Sequence, residues 1–145
     1  MAESDEHRLL VGIMMKNLKS LYQHKSASIT ADIDSYARPP NIGNFRPDIF
    51  INIRQDNKII ICEAKTWPDL KSQRSEKQIL SFLTYLESAP KCGCFILGGF
   101  GHFMSEYGKS MLRNLRLKHG ISACSLQVFD GLDCWQMGDK SWHLI

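Results

Sequence analysis

Pro47-Asp48-Ile49-Phe50-Ile51-Asn52-Ile53, then Arg54-Gln55-Asp56-Asn57, then Lys58-Ile59-Ile60-Ile61-Cys62-Glu63-Ala64-Lys65 is the stretch that decides the fold. Two short apolar runs, rich in β-branched residues, flank a polar tetrad. That pattern predicts a β-hairpin turning near Gln55-Asp56-Asn57. Pairing across such a turn brings Asp48 opposite Glu63 to Lys65. Side chains alternate along a strand, so Glu63 and Lys65 share a face. Two carboxylates and an ammonium then meet at one end of a greasy strand pair. Charges in such a place are costly unless they are paired or hold a metal. A plain salt bridge of Lys65 with Glu63 or Asp48 is the simpler alternative, and it leaves the choice of an apolar strand end unexplained.

Outward from the hairpin, helical spacing of Leu9, Leu10, Ile13, Met14, Leu18 and Leu21 predicts a helix over residues 5–24. Glu6 falls on the face of that stripe. It can serve as a first-turn acid complementing the helix dipole, or as a carboxylate aimed into a site. A strand is expected over 28–34, then a loop punctuated by Pro39, Pro40 and Gly43. The hairpin strands follow at 47–53 and 58–65, and Trp67-Pro68-Asp69 is expected to break the chain. A second helix is expected over 75–88, closed by Pro90, with Ser75 and Gln78 matching a capping box. A strand at 94–100, a helix at 105–119 capped by Gly120, and strand-like runs at 126–129 and 142–145 complete the chain. An antiparallel front end followed by β-α-β-α-β predicts an α/β fold: a central mixed β-sheet with helices on both faces. The Ile59-Ile60-Ile61-Cys62 run, apolar on both sides, is expected in a central strand.

The bulk properties fit this picture. At 145 residues one domain spanning 1–145 is expected. Such a chain buries roughly 70% of its unfolded surface. Apolar content of 43% and charged content of 23% are ordinary for a globular protein. The net charge of +3 permits a polyanionic partner without requiring one. Cys62, Cys92, Cys94, Cys124 and Cys134 show neither a disulfide framework nor zinc-ligand pairs. Free thiols in a reducing, cytoplasmic setting are expected. The acidic start, Met1-Ala2-Glu3-Ser4-Asp5-Glu6, has no apolar core of a signal peptide, and no run reaches the ~18 apolar residues of a membrane span. His7, His24, His102, His119 and His143 show no ligand spacing and are expected as surface or helix-end residues. Trp135 and Trp142 are expected in the core or at a dimer contact.

The chemistry of the hairpin end points to a hard divalent cation. Magnesium takes oxygen ligands and typically uses one or two carboxylates together with substrate phosphate oxygens. Asp48 and Glu63 supply two such ligands, and the Ala64 carbonyl between them offers a third. Lys65 is placed to hold an attacking water or to offset charge on a reacting phosphate. These are the parts that phosphodiester hydrolysis needs.

Pro47-Asp48 followed by Glu63-Ala64-Lys65 resembles the PD-(D/E)xK nuclease superfamily, the restriction-endonuclease-like fold, over about residues 5 to 100. The resemblance implies a magnesium-dependent deoxyribonuclease, with manganese as a substitute metal. It implies catalytic roles for Asp48, Glu63 and Lys65, a site role for Glu6 on the first helix, and one for Gln78, which matches the glutamine of RecB-like members. Their aromatic partner is not matched cleanly, since position 82 is Phe and the tyrosine is Tyr85. The capping box competes for Gln78. Small members of the family act on branched DNA as homodimers or in defence against foreign DNA. A domain this small implies specificity drawn from DNA structure, from homodimerisation or from a protein partner. Basic residues suit a phosphate backbone: Arg38 and Arg46 in the loop before Asp48, then Lys71, Arg74 and Lys77. Lys109, Arg113 and Arg116 at i, i+4 and i+7 predict a basic stripe on the last helix, either a DNA-tracking strip or a solvated face. A non-catalytic nucleic-acid-binding module of the same fold and a ribonuclease are the alternatives.

Overall fold

The computed structural model describes residues 4–22, 26–89 and 91–145. His24 and Pro90 lie outside the described residues. The chain begins with helix α1, Asp5–Tyr22, whose first turn carries Asp5 and Glu6 and whose last turn carries Lys19, each placed to complement the helix dipole. Strands β1 (Ala27–Ala31), β2 (Ile49–Ile53) and β3 (Lys58–Ala64) follow as an antiparallel meander. The β2–β3 turn is a short 3₁₀ segment, Arg54–Asp56, closed by Asn57 in the left-handed region at φ 50°. Asparagine tolerates that conformation better than other residues with a Cβ.

Trp67-Pro68-Asp69 does not break the chain. It opens a short helix, α2, Trp67–Leu70, with Pro68 in its first turn, where proline's missing N–H costs nothing. Helix α3 then spans Gln73–Ser88. Its N-cap is Ser72, whose Oγ accepts the Ser75 amide at 3.1 Å. The expected Ser75/Gln78 capping box is therefore not formed, because the helix starts earlier and Ser75 lies inside its first turn. Strand β4 (Cys92–Gly98) leads to helix α4, His102–His119, which ends at Gly120 in the left-handed conformation expected of a C-cap. Strands β5 (Ser125–Phe129), β6 (Cys134–Met137) and β7 (Trp142–Leu144) finish the chain. Strand β6 was not expected. Its Cys134-Trp135-Gln136-Met137 segment is short and lacks the β-branched signal, and pairing to β5 and β7 makes it a strand.

All seven strands form one mixed sheet in sequential order. The first three are antiparallel, β3, β4 and β5 are parallel, and the last two are antiparallel again. Helices cover both faces. On one, Leu10, Val11, Met14, Met15 and Leu18 of α1 pack on Ile49, Ile51, Ile60 and Cys62. On the other, Ile79, Phe82, Leu83 and Leu86 of α3 and Leu112 and Leu115 of α4 pack on Ile59, Ile61, Phe95 and Leu126. Strand β3 is apolar on both sides and interior to the sheet, although the middle position belongs to β4. Because β3, β4 and β5 are parallel, their carboxyl ends emerge at one edge. Antiparallel β2 brings the residue preceding it, Asp48, to that same edge. No helix among the described residues is long and apolar enough to cross a membrane.

Candidate metal centre

The register fixes the site. Ile49 pairs with Cys62, so Asp48 stands beside Glu63 at the carboxyl end of β3. Asp48 Oδ2 accepts the Ala64 amide at 2.8 Å. It is thus the N–H of Ala64 that engages Asp48 here. Both carboxyl residues are buried, Glu63 almost completely. A third group arrives from α1: His7 Nε2 lies 3.1 Å from Asp48 Oδ2. His7, Asp48 and Glu63 each offer a ligand atom, all within 4.8 Å of one another.

Helix α1 supplies His7 where Glu6 was expected. Glu6 is exposed, and the buried face of α1 runs through Leu10, Val11, Met14, Met15 and Leu18, with Leu9 60% exposed. His7 precedes Leu10, Val11 and Met14 by three, four and seven residues, which places it on that face. Leu9 and Leu21 are turned away from the sheet, and Ile13 packs only at the margin of the core. His7 was missed because it has no second ligand in helical spacing, and its partners are the residue preceding β2 and one in β3. The available signal was the alternative stripe one residue along.

The electrostatics of the pair are asymmetric. Burial pushes Glu63 well above the ordinary carboxylate range, helped by the charge of Asp48 and the hydrogen bond between them, and against the pull of Lys65 and Arg74. Burial also acts to raise Asp48. Hydrogen bonds from Glu63 and His7, the charge of His7 and the Ala64 amide outweigh it and hold Asp48 below its usual value. Of the two carboxyls, Glu63 is therefore the one that holds a proton more tightly. Among the described residues, Glu63 Oε2 is buried with no hydrogen-bond partner. A buried oxygen left unsatisfied is expensive, and a cation satisfies it. Two carboxylates and an imidazole fit a divalent ion. The carboxylates suit Mg²⁺ and Mn²⁺, and the nitrogen ligand extends the fit to softer first-row metals.

Lys65, half-buried beyond Glu63, donates from Nζ to Gln78 Oε1 at 2.5 Å. Gln78 is free to do so because Ser72 caps α3. Arg74 acts electrostatically on Glu63 and stacks over Phe45 at 5.5 Å. Lys71 and Lys77 are exposed on the same stretch, as is Arg38 in the preceding loop, and Arg46 stands 3.9 Å from Asp32.

The basic stripe of α4 is not a free strip. Lys109 is buried, with Nζ 4.2 Å from the Trp135 ring centroid and 3.7 Å from Glu106. Arg116 donates from Nε to the Ile121 carbonyl at 2.9 Å and from Nη2 to the Cys124 carbonyl at 2.8 Å. Arg113 is half-buried between them. The stripe borders the sheet-facing side of α4, so the long stems of Lys109 and Arg116 pack inward and their charged heads serve the C-terminal segment. A groove of about 390 Å³ beside α1, lined by Met14, Leu18, Ile96, Phe129 and Ile145 among others, contains none of the three clustered residues.

No protein-family model matches the chain, and no curated protein matches it. Among solved structures it is similar to "The structure of Pyrococcus Furiosus SfsA in complex with Ca2+", with a TM-score of 0.47 and 18% identity over 90% of this chain and 63% of that one. The chain thus spans less than two thirds of the length of that protein. A likeness at this level carries nothing about chemistry, which rests on the side chains above.

Proposed function

We propose that the protein is a divalent-metal-dependent nuclease of the restriction-endonuclease-like fold, hydrolysing phosphodiester bonds of DNA. The observation that carries this reading is the buried His7, Asp48 and Glu63 cluster with an unsatisfied Glu63 oxygen, and Lys65 beside it. His7, Asp48 and Glu63 would hold Mg²⁺ or Mn²⁺, and the Ala64 carbonyl would be a further oxygen donor. The metal supplies Lewis-acid polarisation of a phosphate group.

The chain's own groups do the rest. Asp48 stays ionised at neutral pH, held in place by the Ala64 amide. Lys65 offsets negative charge developing on the reacting phosphate and orients the attacking water, with Gln78 fixing its ammonium. Arg74 and Lys71 extend the positive surface along which a phosphate backbone lies.

The deciding experiment is cleavage of plasmid, branched and single-stranded DNA with Mg²⁺, with Mn²⁺ and with a chelator. Metal-dependent cleavage that falls by about 10²–10³-fold in Lys65→Ala is expected. Absence of metal-dependent cleavage on all three substrates rejects the reading.

A further inference from the structure

Trp67 follows Lys65 by two residues, and its ring stands at the centre of an aromatic group on the same edge of the sheet as the metal centre. Phe103 packs against it with ring centroids 4.8 Å apart and Tyr107 at 5.2 Å in an edge-on arrangement. Helix α4, which carries both, starts where β4 ends, and the Lys65 amide donates to the Gly98 carbonyl at 2.9 Å. The platform therefore lies at the same end of the parallel strands as the site. Trp67 is partly buried against the core, but Phe103 is 70% exposed and Tyr107 38%. Packing of the core does not account for an open phenyl ring on a helix's first turn.

The charges around the rings are as telling. Lys71 Nζ stands 5.2 Å above the Trp67 ring, and Arg74 covers Phe45 at 5.5 Å on the other flank of the site. Of the acids beside the rings, Glu106 lies 3.8 Å from His102 and 3.7 Å from Lys109, Asp69 accepts from Thr66 Oγ1 at 3.1 Å, and Glu76 lines the groove beyond Tyr107. The exposed rings of Phe103 and Tyr107 beside these cations make a surface for unpaired bases, whose π-faces stack while the backbone follows the positive charge. A duplex hides those faces.

We propose that Phe103 and Tyr107, backed by Trp67 and flanked by Lys71, form a stacking platform for unpaired nucleobases, so that the strand presented to the metal centre is single-stranded. The inference deepens the nuclease reading and rests on it for the identity of the site. Its occupant is a single-stranded polynucleotide, and the test separates DNA from RNA.

The test is binding without turnover. Fluorescence anisotropy in chelator, with labelled thymidine and uridine oligomers of roughly fifteen nucleotides and a blunt DNA duplex, reads the platform alone. Phe103→Ala and Tyr107→Ala are each expected to weaken single-strand binding about 5- to 150-fold, to leave duplex binding unchanged, and Phe103→Trp to retain wild-type affinity. The oligomer bound more tightly names the polynucleotide. Wild-type affinity in Phe103→Ala, an equal loss on duplex, or no single-strand binding by the wild type overturns the proposal, the last leaving the rings as a protein-facing surface. Phe103-dependent binding without metal-dependent cleavage sinks the nuclease reading and leaves the platform standing. Cleavage lost in Lys65→Ala with binding indifferent to Phe103 does the reverse.

Discussion

At the scale of single residues, Glu63 and Asp48 answer to pH in opposite senses. The folded-state pKa of Glu63 is raised by burial and by Asp48. A raised value means that the metal-free fold is favoured with Glu63 protonated. That contribution is whole below the ordinary glutamate value and is lost as pH rises through the folded one. Asp48 is the opposite case. Its depressed value gives stability present above the ordinary aspartate range and lost as pH falls through the folded value. Metal binding needs both groups ionised and so expels the Glu63 proton. The rise in melting temperature on adding Mn²⁺ is expected to grow as pH increases, and calorimetry in two buffers of different ionisation enthalpy should detect proton release. Glu63→Gln is expected to remove the loss of metal-free stability at higher pH, and the metal response with it. A metal-induced shift that is flat with pH would contradict the raised affinity of Glu63 for its proton.

At the scale of elements, the rotation of α1 decides what the site contains. Both stripes on that helix are helical in period, and Leu10, Met14 and Leu18 belong to both. The distinction lies in Leu9 and Leu21 against Val11 and Met15, and the sheet selects the latter, with Ile13 at its margin. Leu10→Ala is expected to cost about 2–5 kcal/mol, whereas Leu9→Ala is expected to stay within about 0.5 kcal/mol. Urea melts of the two variants measure this directly. Leu10 sits one turn from His7, so Leu10→Ala should also weaken metal binding. Equal costs at the two positions would mean that α1 docks on another face, which removes His7 from the cluster. Helix α3 makes the same point. Its apolar face, Ile79, Phe82, Leu83 and Leu86, was legible from spacing, but its start was not. Ser72 and Ser75 are both competent caps, and only the short α2 before them places Ser72 at the N-cap, leaving Gln78 to Lys65.

At the scale of the whole molecule, α4 is tied to the last three strands by side chains that read as a surface stripe in sequence. Arg116 reaches the Ile121 and Cys124 carbonyls and lies 3.4 Å from Met137 Sδ. Arg116→Ala strands these acceptors, and a loss of about 1–3 kcal/mol is expected by urea denaturation. The slope of DNA affinity against salt should remain that of the wild type. A slope flattened by about 0.7–0.9 would return Arg116 to the DNA-contacting surface.

The sequence by itself determined the hairpin, the mixed sheet with helices on both faces, and the meeting of Asp48 with Glu63. Each follows from local rules: strand period, turn chemistry and the register that a short turn imposes. Only the tertiary structure decided which helix faces meet the sheet. It thereby brought His7 to Asp48, turned Glu6 to solvent and drew Lys109 and Arg116 inward. Helical periodicity fixes a stripe only to within a residue or so when apolar residues are plentiful. The choice between neighbouring stripes is made by the surface they pack on, which no local pattern contains.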